Sequence, residues 1–444
     1  MNLNSEIRDV IVVGGGAAGL MTAASAGARG KRVLVLEKNR KLGVKILMSG
    51  GTRCNITHHC DARGIAEAFG RQGKFLRSAL ATLSPQDVIR KIEALGVATR
   101  VEATGKIFPV SNRAIDVRDA LVRLAVDAGA TVLAEQPVRR IDYSGPNTER
   151  VAADEAEAAS APQFRVQTDH QQFLSRSLVI TTGGRSYPGC GTTGDGYAWA
   201  ESFGHSVVRT VPALTPVVCH QNWIHALRGI TVEDVELSVW PVSPKPGQRR
   251  LKPLGVDRGP LLLTHFGFSG PTVMNLSRLV AQADAAADTE SSASEQLSLR
   301  CDFLPTVTDL QLADEFGRRR KNAGRHPVGQ LLSEYFPRRL AEALLDRAGI
   351  AATQKNAELS KQQTRALIDV LKRNNFPIHG TLGYKKAEVT AGGVNLKEVD
   401  SRNMQSKLCR GLFFAGEILD LDGPIGGFNF QAAFSTGWLA GQHV

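Results

Sequence analysis

Short apolar runs and helical periodicities alternate through the first 200 residues. Asp9-Val-Ile-Val-Val13 predicts a short buried strand, Gly14 to Gly19 a turn, and the Ala-rich stretch Leu20 to Arg29 a helix that Gly30 ends. Arg32-Val-Leu-Val-Leu36 predicts a second strand, so the opening is a βαβ unit with parallel strands. Val88, Ile89, Ile92 and Leu95 have helical spacing within Pro85 to Gly96, as do Ile115, Val117, Leu121, Leu124 and Ala125 within Ala114 to Ala128. Thr131 to Leu133, Val138 to Tyr143, Phe164 to Thr168 and Ser177 to Thr182 read as strands. The acidic, Ala/Ser/Pro-rich stretch from Ser144 to Gln163 reads as an exposed loop between two of them.

Beyond residue 204 the pattern changes. Val207 to Val211, Val235 to Val242 and Leu261 to Thr264 are short β-like runs broken by prolines and glycines, and Asp284 to Glu295 is a second low-complexity loop. Val307 to Asn374 is charged and helical, and the last 70 residues return to strand–turn–helix texture. The expected organisation is α/β: a Rossmann-like nucleotide-binding domain over 1–204 and 377–444, interrupted by a β-rich insertion (205–304) and a helical one (305–376).

Composition narrows the classes. With 42% apolar and 22% charged residues, the 444-residue chain is an ordinary globular protein large enough for two or three domains. No run approaches the ~18 apolar residues of a membrane span. Six scattered cysteines without an export signal suggest reduced thiols and a cytoplasmic location. The net charge of +11 favours anionic ligands.

Gly14-Gly-Gly16-Ala17-Ala18-Gly19 fits G-x-G-x-x-G between a strand and a helix, and Glu37 ends the next strand 23 positions beyond Gly14. Gly14 permits the tight turn, Gly16 lets a pyrophosphate approach the backbone, and Gly19 lets helix and strand pack closely. The helix N-terminus offers free N–H groups to phosphate, and Glu37 suits the ribose hydroxyls of an adenosine half. Gly189-Cys-Gly191-Thr-Thr-Gly194 fits the same pattern, but no strand directly precedes it. It reads as a glycine loop near the same ligand. From Lys38 to Thr57, cations including Lys45 precede a Ser/Gly loop with Ser49, Gly50, Arg53 and Asn55, which suits a diphosphate and a polar ring system. Near the C-terminus, the strand Gly411 to Ala415 is followed by Gly416-Glu417, Asp420, Gly426-Gly427-Phe428-Asn429 and an Ala-rich helix from Phe430 to Gly441. That strand–acid–glycine–helix arrangement points to FAD, with the final helix aimed at the flavin ring.

Met48-Ser-Gly-Gly-Thr-Arg-Cys-Asn55, Thr390-Ala-Gly-Gly-Val394 and Gly416-Glu-Ile-Leu-Asp420 through Gly426-Gly-Phe-Asn429 resemble the BaiN/YhiN-like family of FAD-dependent, NAD(P)-linked oxidoreductases, which also takes in aminoacetone-oxidase-type flavoproteins. The resemblance runs from Asp9 to the last helix, and His265-Phe-Gly-Phe-Ser269-Gly-Pro271 and Gly194-Asp195-Gly-Tyr197 also fit. The chain departs from it in the Ser144–Gln163 loop and at Cys190-Gly191-Thr192, where the family has a Gly-Ser-Thr-type run. The resemblance implies a two-dinucleotide-type FAD domain with a β-barrel-like and a helical insertion. The expected cofactor contacts also include Lys38, Val138, Thr182, Gly183, Gly184 and Asp195.

The catalytic acid or base is less legible. His265 follows a strand and Lys386 precedes the Thr390–Val394 glycines; both are candidates, and Tyr384, Lys385 and Glu388 either line the substrate side or form an ordinary exposed strand. Cys54, His58, His59 and Cys60 are close in sequence but poorly spaced for a metal, so none is expected. Arg318-Arg-Arg-Lys321 with Arg325 lacks interleaved aromatics and reads as a solvated helix face. The resulting expectation is a cytoplasmic FAD oxidoreductase, reduced transiently by NAD(P)H, with a small organic substrate and neither membrane nor nucleic-acid partner. The alternatives are a flavin-dependent tRNA-modifying or RNA-binding protein and a redox-responsive binding protein.

Overall fold

The computed structural model describes residues 6–144, 163–242, 251–287 and 296–444, which form two compact units: 6–210 with 388–444, and 211–387. Nearly all of the Ser144–Gln163 loop and the end of the Asp284–Glu295 loop lie outside the described residues. The ends of the first loop meet, since the Ser144 N–H donates to the Gln163 carbonyl at 2.9 Å.

In the first unit, strand β1 (Ile7–Val13), helix α1 (Ala17–Gly27) and strand β2 (Val33–Leu36) form the expected βαβ unit, with Val10 opposite Val33 in parallel register. The helix starts three residues earlier than its apolar pattern suggests, because the last residues of the glycine turn already have helical geometry. β1 also pairs in parallel with Gln172–Ile180, a strand longer than expected. The first part of that strand carries the antiparallel meander of Phe164–Thr168 and Val138–Tyr143; its last residues pair in parallel with Leu412–Phe414. Thr131–Leu133 closes the other edge against β2. The parallel strands therefore end together: Val13, Leu36, Ile180 and Phe414 lie at one edge of the sheet, and the loops that follow them carry the proposed site.

The Ala-rich composition of α1 has a packing cause. The helix is buried on nearly every side. A Cβ on Gly437 would lie 2.3 Å from the Ala18 carbonyl oxygen, and one on Gly441 2.5 Å from that of Thr22. The closing helix, Phe428–His443, thus runs against α1 almost backbone to backbone, and the Thr22 hydroxyl donates to the Gly437 carbonyl at 2.9 Å.

At the start of β1, Asp9 accepts from the Arg32 main chain (2.9 Å) and guanidinium (3.0 Å) and from Arg176 (2.6 Å). The Arg32 hydrogen bonds hold its carboxyl down from 3.8 to about 2, against the opposing effect of burial. A depressed acid contributes stability above its unfolded pKa, and that contribution disappears as pH falls through the folded value. Asp9→Asn is therefore expected to be less stable than wild type at neutral pH, with the gap closing as pH falls from 3.8 to about 2. Urea midpoints across that range check this.

The second unit contains a six-stranded antiparallel sheet, with Thr231–Pro241 between Gly255–Thr264 and Leu297–Asp302. The helix Pro271–Ala287 accompanies it, with Leu276 and Leu279 over Gly255. Helices Asp309–Asn322, Val328–Leu332, Arg338–Arg347 and Lys361–Lys372 follow; Thr308 and Ser360 cap two of them with reciprocal Gln311 and Gln363 contacts. In the basic cluster, Arg318 and Arg319 pair with Glu315, and Arg319 also with Glu334. Arg320 donates to the Leu359 carbonyl. This helix buries Leu312 and Phe316 and turns paired cations outward, as the solvated-face reading expects.

Candidate functional site

The glycine turn is built as dinucleotide binding requires. Gly14 has φ 105°, and a Cβ there would lie 2.7 Å from the Thr181 carbonyl oxygen. At Gly19 an added Cβ would fall 1.9 Å from the Gly14 carbonyl oxygen, so only glycine lets α1 start this close to β1. Gly16 differs: nothing lies within 4 Å of its would-be Cβ. Among the described residues no side chain caps the α1 N-terminus there, which leaves open space beside the first N–H groups of the helix, where a diphosphate would sit next to Ala17 and Ala18. Glu37 is almost fully buried. It shapes this turn from behind, accepting the Gly15 and Asn39 N–H groups at 2.8 Å each. Each carboxylate oxygen retains acceptor capacity for a hydroxyl.

The second glycine loop joins the same region. The Asn39 amide donates to the Cys190 carbonyl (3.0 Å), and Lys38 reaches Thr193 (2.6 Å) and Asp195 (2.5 Å). The Gln136 N–H donates to the Glu37 carbonyl at 2.9 Å, which brings the start of the Val138 strand to the Glu37 end.

A polar junction forms around Glu417. A Cβ on Gly416 would come within 2.8 Å of the Ala18 side chain, so the following Glu417 stands beside the first turn of α1. Its carboxylate pairs with Lys45 and accepts from the Ser186 hydroxyl (2.7 Å) and the Thr390 N–H (2.9 Å). Lys45 also donates to Ser186 at 2.5 Å, and the Thr390 hydroxyl accepts the N–H groups of Arg185 (2.8 Å) and Ser186 (3.1 Å). A Cβ on Gly184 would strike Thr390, so that loop is pressed directly on the Thr390 strand. The Thr182 hydroxyl, just before Gly183, is buried without a hydrogen-bond partner among the described residues. Ser186 and Thr390 carry this junction, yet the sequence pattern marks only the glycines around them.

The Lys38–Thr57 stretch is not all loop: Val44–Thr52 is a helix, kinked at Ser49, Gly50 and Gly51. Thr52 (φ 69°) extends the left-handed geometry and Cys54 (φ 63°) returns to it after Arg53 (φ −97°), unusual conformations for residues with side chains. Arg53 pairs with Glu102 (2.7 Å) and lies 3.9 Å over the Phe108 ring. Asn55, with its amide oriented to satisfy both ends, donates to the Thr57 carbonyl at 3.0 Å and accepts the Gly427 N–H at 2.9 Å. His58 stacks on Phe428, with ring centroids 4.6 Å apart, and contacts the Gly426 carbonyl at 3.1 Å. Asn429 braces its own loop through reciprocal bonds to Gly423 (2.8 and 2.9 Å), and Gln72 holds Asp420 at 3.1 Å. Cys54 is fully buried, and burial pushes its thiol up to about 12, the opposite of what a metal ligand or redox thiolate needs.

Glu388 is an exposed residue whose carboxyl pKa is nonetheless raised by desolvation, against the pull of Lys45 and Lys106. Its charge is felt by Tyr187, whose phenol is pushed up chiefly by burial and then by Glu388. His265 and Lys386 belong to the second unit, and both are exposed.

Residues 8–443 match the family described as HI0933-like protein Rossmann domain. Three relatives align over nearly their whole lengths. The ribosomal RNA dihydrouridine synthase of Escherichia coli (strain K12) is 33% identical over 98% of each chain. Its Haemophilus influenzae namesake is 30% identical over 99% of each. The 3-dehydro-bile acid delta(4,6)-reductase of Clostridium scindens is 30% identical over 97% of each.

Proposed function

Because this chain belongs to the HI0933-like Rossmann family of FAD-dependent oxidoreductases, we propose that it reduces a carbon–carbon double bond conjugated to a carbonyl, and that its substrate is a uracil ring in ribosomal RNA. One observation carries the reading: three full-length relatives are named for that same bond chemistry. A dihydrouridine forms by adding two hydrogens across the uracil double bond beside a ring carbonyl; a 3-oxo steroid with Δ4,6 unsaturation presents the same conjugated unit. The two nearly full-length matches to RNA-directed relatives, together with the net charge of +11, shift the balance from the small-molecule substrate that sequence patterns favour towards a polyanion.

The residues present fit FAD. The open space at Gly16, the uncapped start of α1 and the unpartnered Thr182 hydroxyl are the observations that support the fit. When bound, FAD supplies the hydride. Gly14, Gly16, Ala17, Ala18 and Gly19 would hold its diphosphate, Glu37 its ribose, and Val138 and Lys38 would border the adenosine. Lys45, Ser49, Gly50, Arg53, Asn55, Gly183, Gly184, Glu417, Asp420 and Gly426 to Asn429 would surround the remainder. Glu417 holds the Lys45 cation in place, so that positive charge stays fixed beside the cofactor. NAD(P)H is the proposed reductant. The same reading assigns the first unit, 6–210 with 388–444, to the cofactor domain, so the 377–387 segment that the sequence pattern gave to that domain belongs instead to the inserted second unit, and it places the protein in the cytoplasm. Among the described residues no helix is long and apolar enough to cross a membrane.

In a strain lacking the gene, dihydrouridine is expected to disappear from ribosomal RNA and to return with the wild-type gene but not with Gly16→Val, as read by nucleoside mass spectrometry. Unchanged ribosomal RNA would remove the RNA substrate. The second reading, a small carbonyl-conjugated alkene, rests on the bile-acid relative and predicts reduction of 3-oxo-4-ene steroids by the purified protein.

A further inference from the structure

Two short segments of the second unit run side by side and bring four rings together. The His379 N–H donates to the Val218 carbonyl and the Val218 N–H to the Gly380 carbonyl, at 2.9 Å each, which fixes 378–380 against 218–220. His220 and His379 then face each other with ring centroids 4.4 Å apart. Three positions on in one segment and three back in the other, Trp223 stacks on Phe376, with centroids 5.7 Å apart and planes 29° apart. Phe376 is fully buried and meets Phe268 edge to face, so it anchors Trp223 to the core. Trp223 itself is only half-buried, and both histidines are exposed. These are rings held in fixed positions at the surface, not withdrawn from water.

Cations border the same face. From the helix Arg338–Arg347, the Arg347 guanidinium lies 5.0 Å from the Trp223 ring centre, and Arg339 donates to the Ala226 carbonyl at the end of the short helix that carries Trp223. Both arginines are exposed, and among the described residues neither pairs with a carboxylate, whereas Arg338 is engaged by Glu342. Asp346 precedes Arg347, but consecutive residues of a helix do not face each other. Residues 211–387 as a whole carry 23 Lys and Arg against 17 Asp and Glu.

We propose that this face, His220, Trp223 and His379 with Arg339 and Arg347, binds a single-stranded segment of RNA. The proposal rests on the RNA reading above and gives that substrate a docking surface. A single strand is held by stacking its unpaired bases on aromatic rings, histidine included, or on guanidinium planes, while cations meet its phosphates. The exposed rings supply the first and the two free guanidiniums the second. Backbone hydrogen bonds and the Phe376 anchor set the rings beforehand, so little ordering is left for binding to impose. A small apolar ligand would call for an enclosed pocket instead.

The test measures fluorescence anisotropy of the FAD-loaded full chain with a short fluorescein-labelled oligouridine, with the same strand paired to oligoadenosine, and with inorganic polyphosphate as competitor. Wild type is expected to bind the single strand more tightly than the duplex. Replacing both histidines, His220→Ala with His379→Ala, is expected to weaken oligouridine binding roughly 5- to 150-fold, the worth of stacking one base. His220→Phe with His379→Phe should restore it, because the rings are kept. The inhibition constant of polyphosphate, which has charge and no bases, should stay the same in both variants. Arg347→Gln should flatten the dependence of log affinity on log salt by ~0.7, one phosphate contact on a single strand. That exposed helix position keeps the test open if the histidine variants unfold. Unchanged oligouridine binding in the alanine pair, an equal loss for polyphosphate, an unchanged salt slope in Arg347→Gln, or no binding by wild type overturns the proposal. The reductase reading fails separately, on unchanged ribosomal RNA in the deletion strain; oligouridine binding that depends on the two rings would then still support this surface.

Discussion

Gly427→Val is expected to destabilise the first unit severely, before any effect on the flavin can be read. A Cβ there would lie 2.6 Å from the Thr57 carbonyl carbon and oxygen and 2.7 Å from its Cα, all of them backbone atoms that cannot rotate away. The residue has φ 90°, which a β-branched side chain resists. Left-handed geometry alone costs about 1–2 kcal/mol for an L-residue. Forced overpacking adds typically ~1–3 kcal/mol. The N–H of Gly427 is also the donor to Asn55, so displacing this turn breaks the link between the 49–58 segment and the closing helix. Thermal unfolding of cofactor-free wild type and variant checks this. A variant as stable as wild type would mean that the closing helix does not seat on Thr57.

Gly16→Val should do the reverse, losing FAD while keeping the fold. Its φ of −84° is ordinary for any residue, and an added Cβ meets no atom of the described residues within 4 Å. The space it fills is the one a diphosphate would occupy against the first N–H groups of α1. Each charge-assisted hydrogen bond lost there is worth about 1.5–3 kcal/mol. One such bond corresponds to a roughly ten- to hundredfold weaker FAD affinity. Isothermal titration of the apo-protein with FAD, beside its unfolding midpoint, separates the two effects. Full FAD affinity in Gly16→Val would show that the turn does not face the cofactor.

These two glycines mark how far the sequence could be read. The turn at Gly14 to Gly19 and its acid Glu37 were legible because local geometry dictates both: a strand, a tight turn and a helix within 20 residues admit few arrangements. The junction of Lys45, Ser186, Thr390 and Glu417 was not, because it gathers side chains from four distant segments and no spacing encodes it. The sequence pattern aimed the helix that follows Gly426 and Gly427 at the flavin ring. The structure supplies another cause for the second glycine, the main chain of Thr57. The helix Val44–Thr52 was hidden by its composition, since Lys, Ser and Gly read as loop although Ile46 anchors it in the core.

The most direct measurement of the central claim is anaerobic stopped-flow absorbance of the FAD-loaded protein. The flavin is first reduced with one equivalent of NADPH or NADH, then mixed with ribosomal RNA from the deletion strain. The account predicts that the RNA restores the oxidised flavin spectrum, with one dihydrouridine formed per flavin reoxidised. A flavin that stays reduced with that RNA and with a 3-oxo-4-ene steroid, yet reoxidises normally in dioxygen, would contradict it.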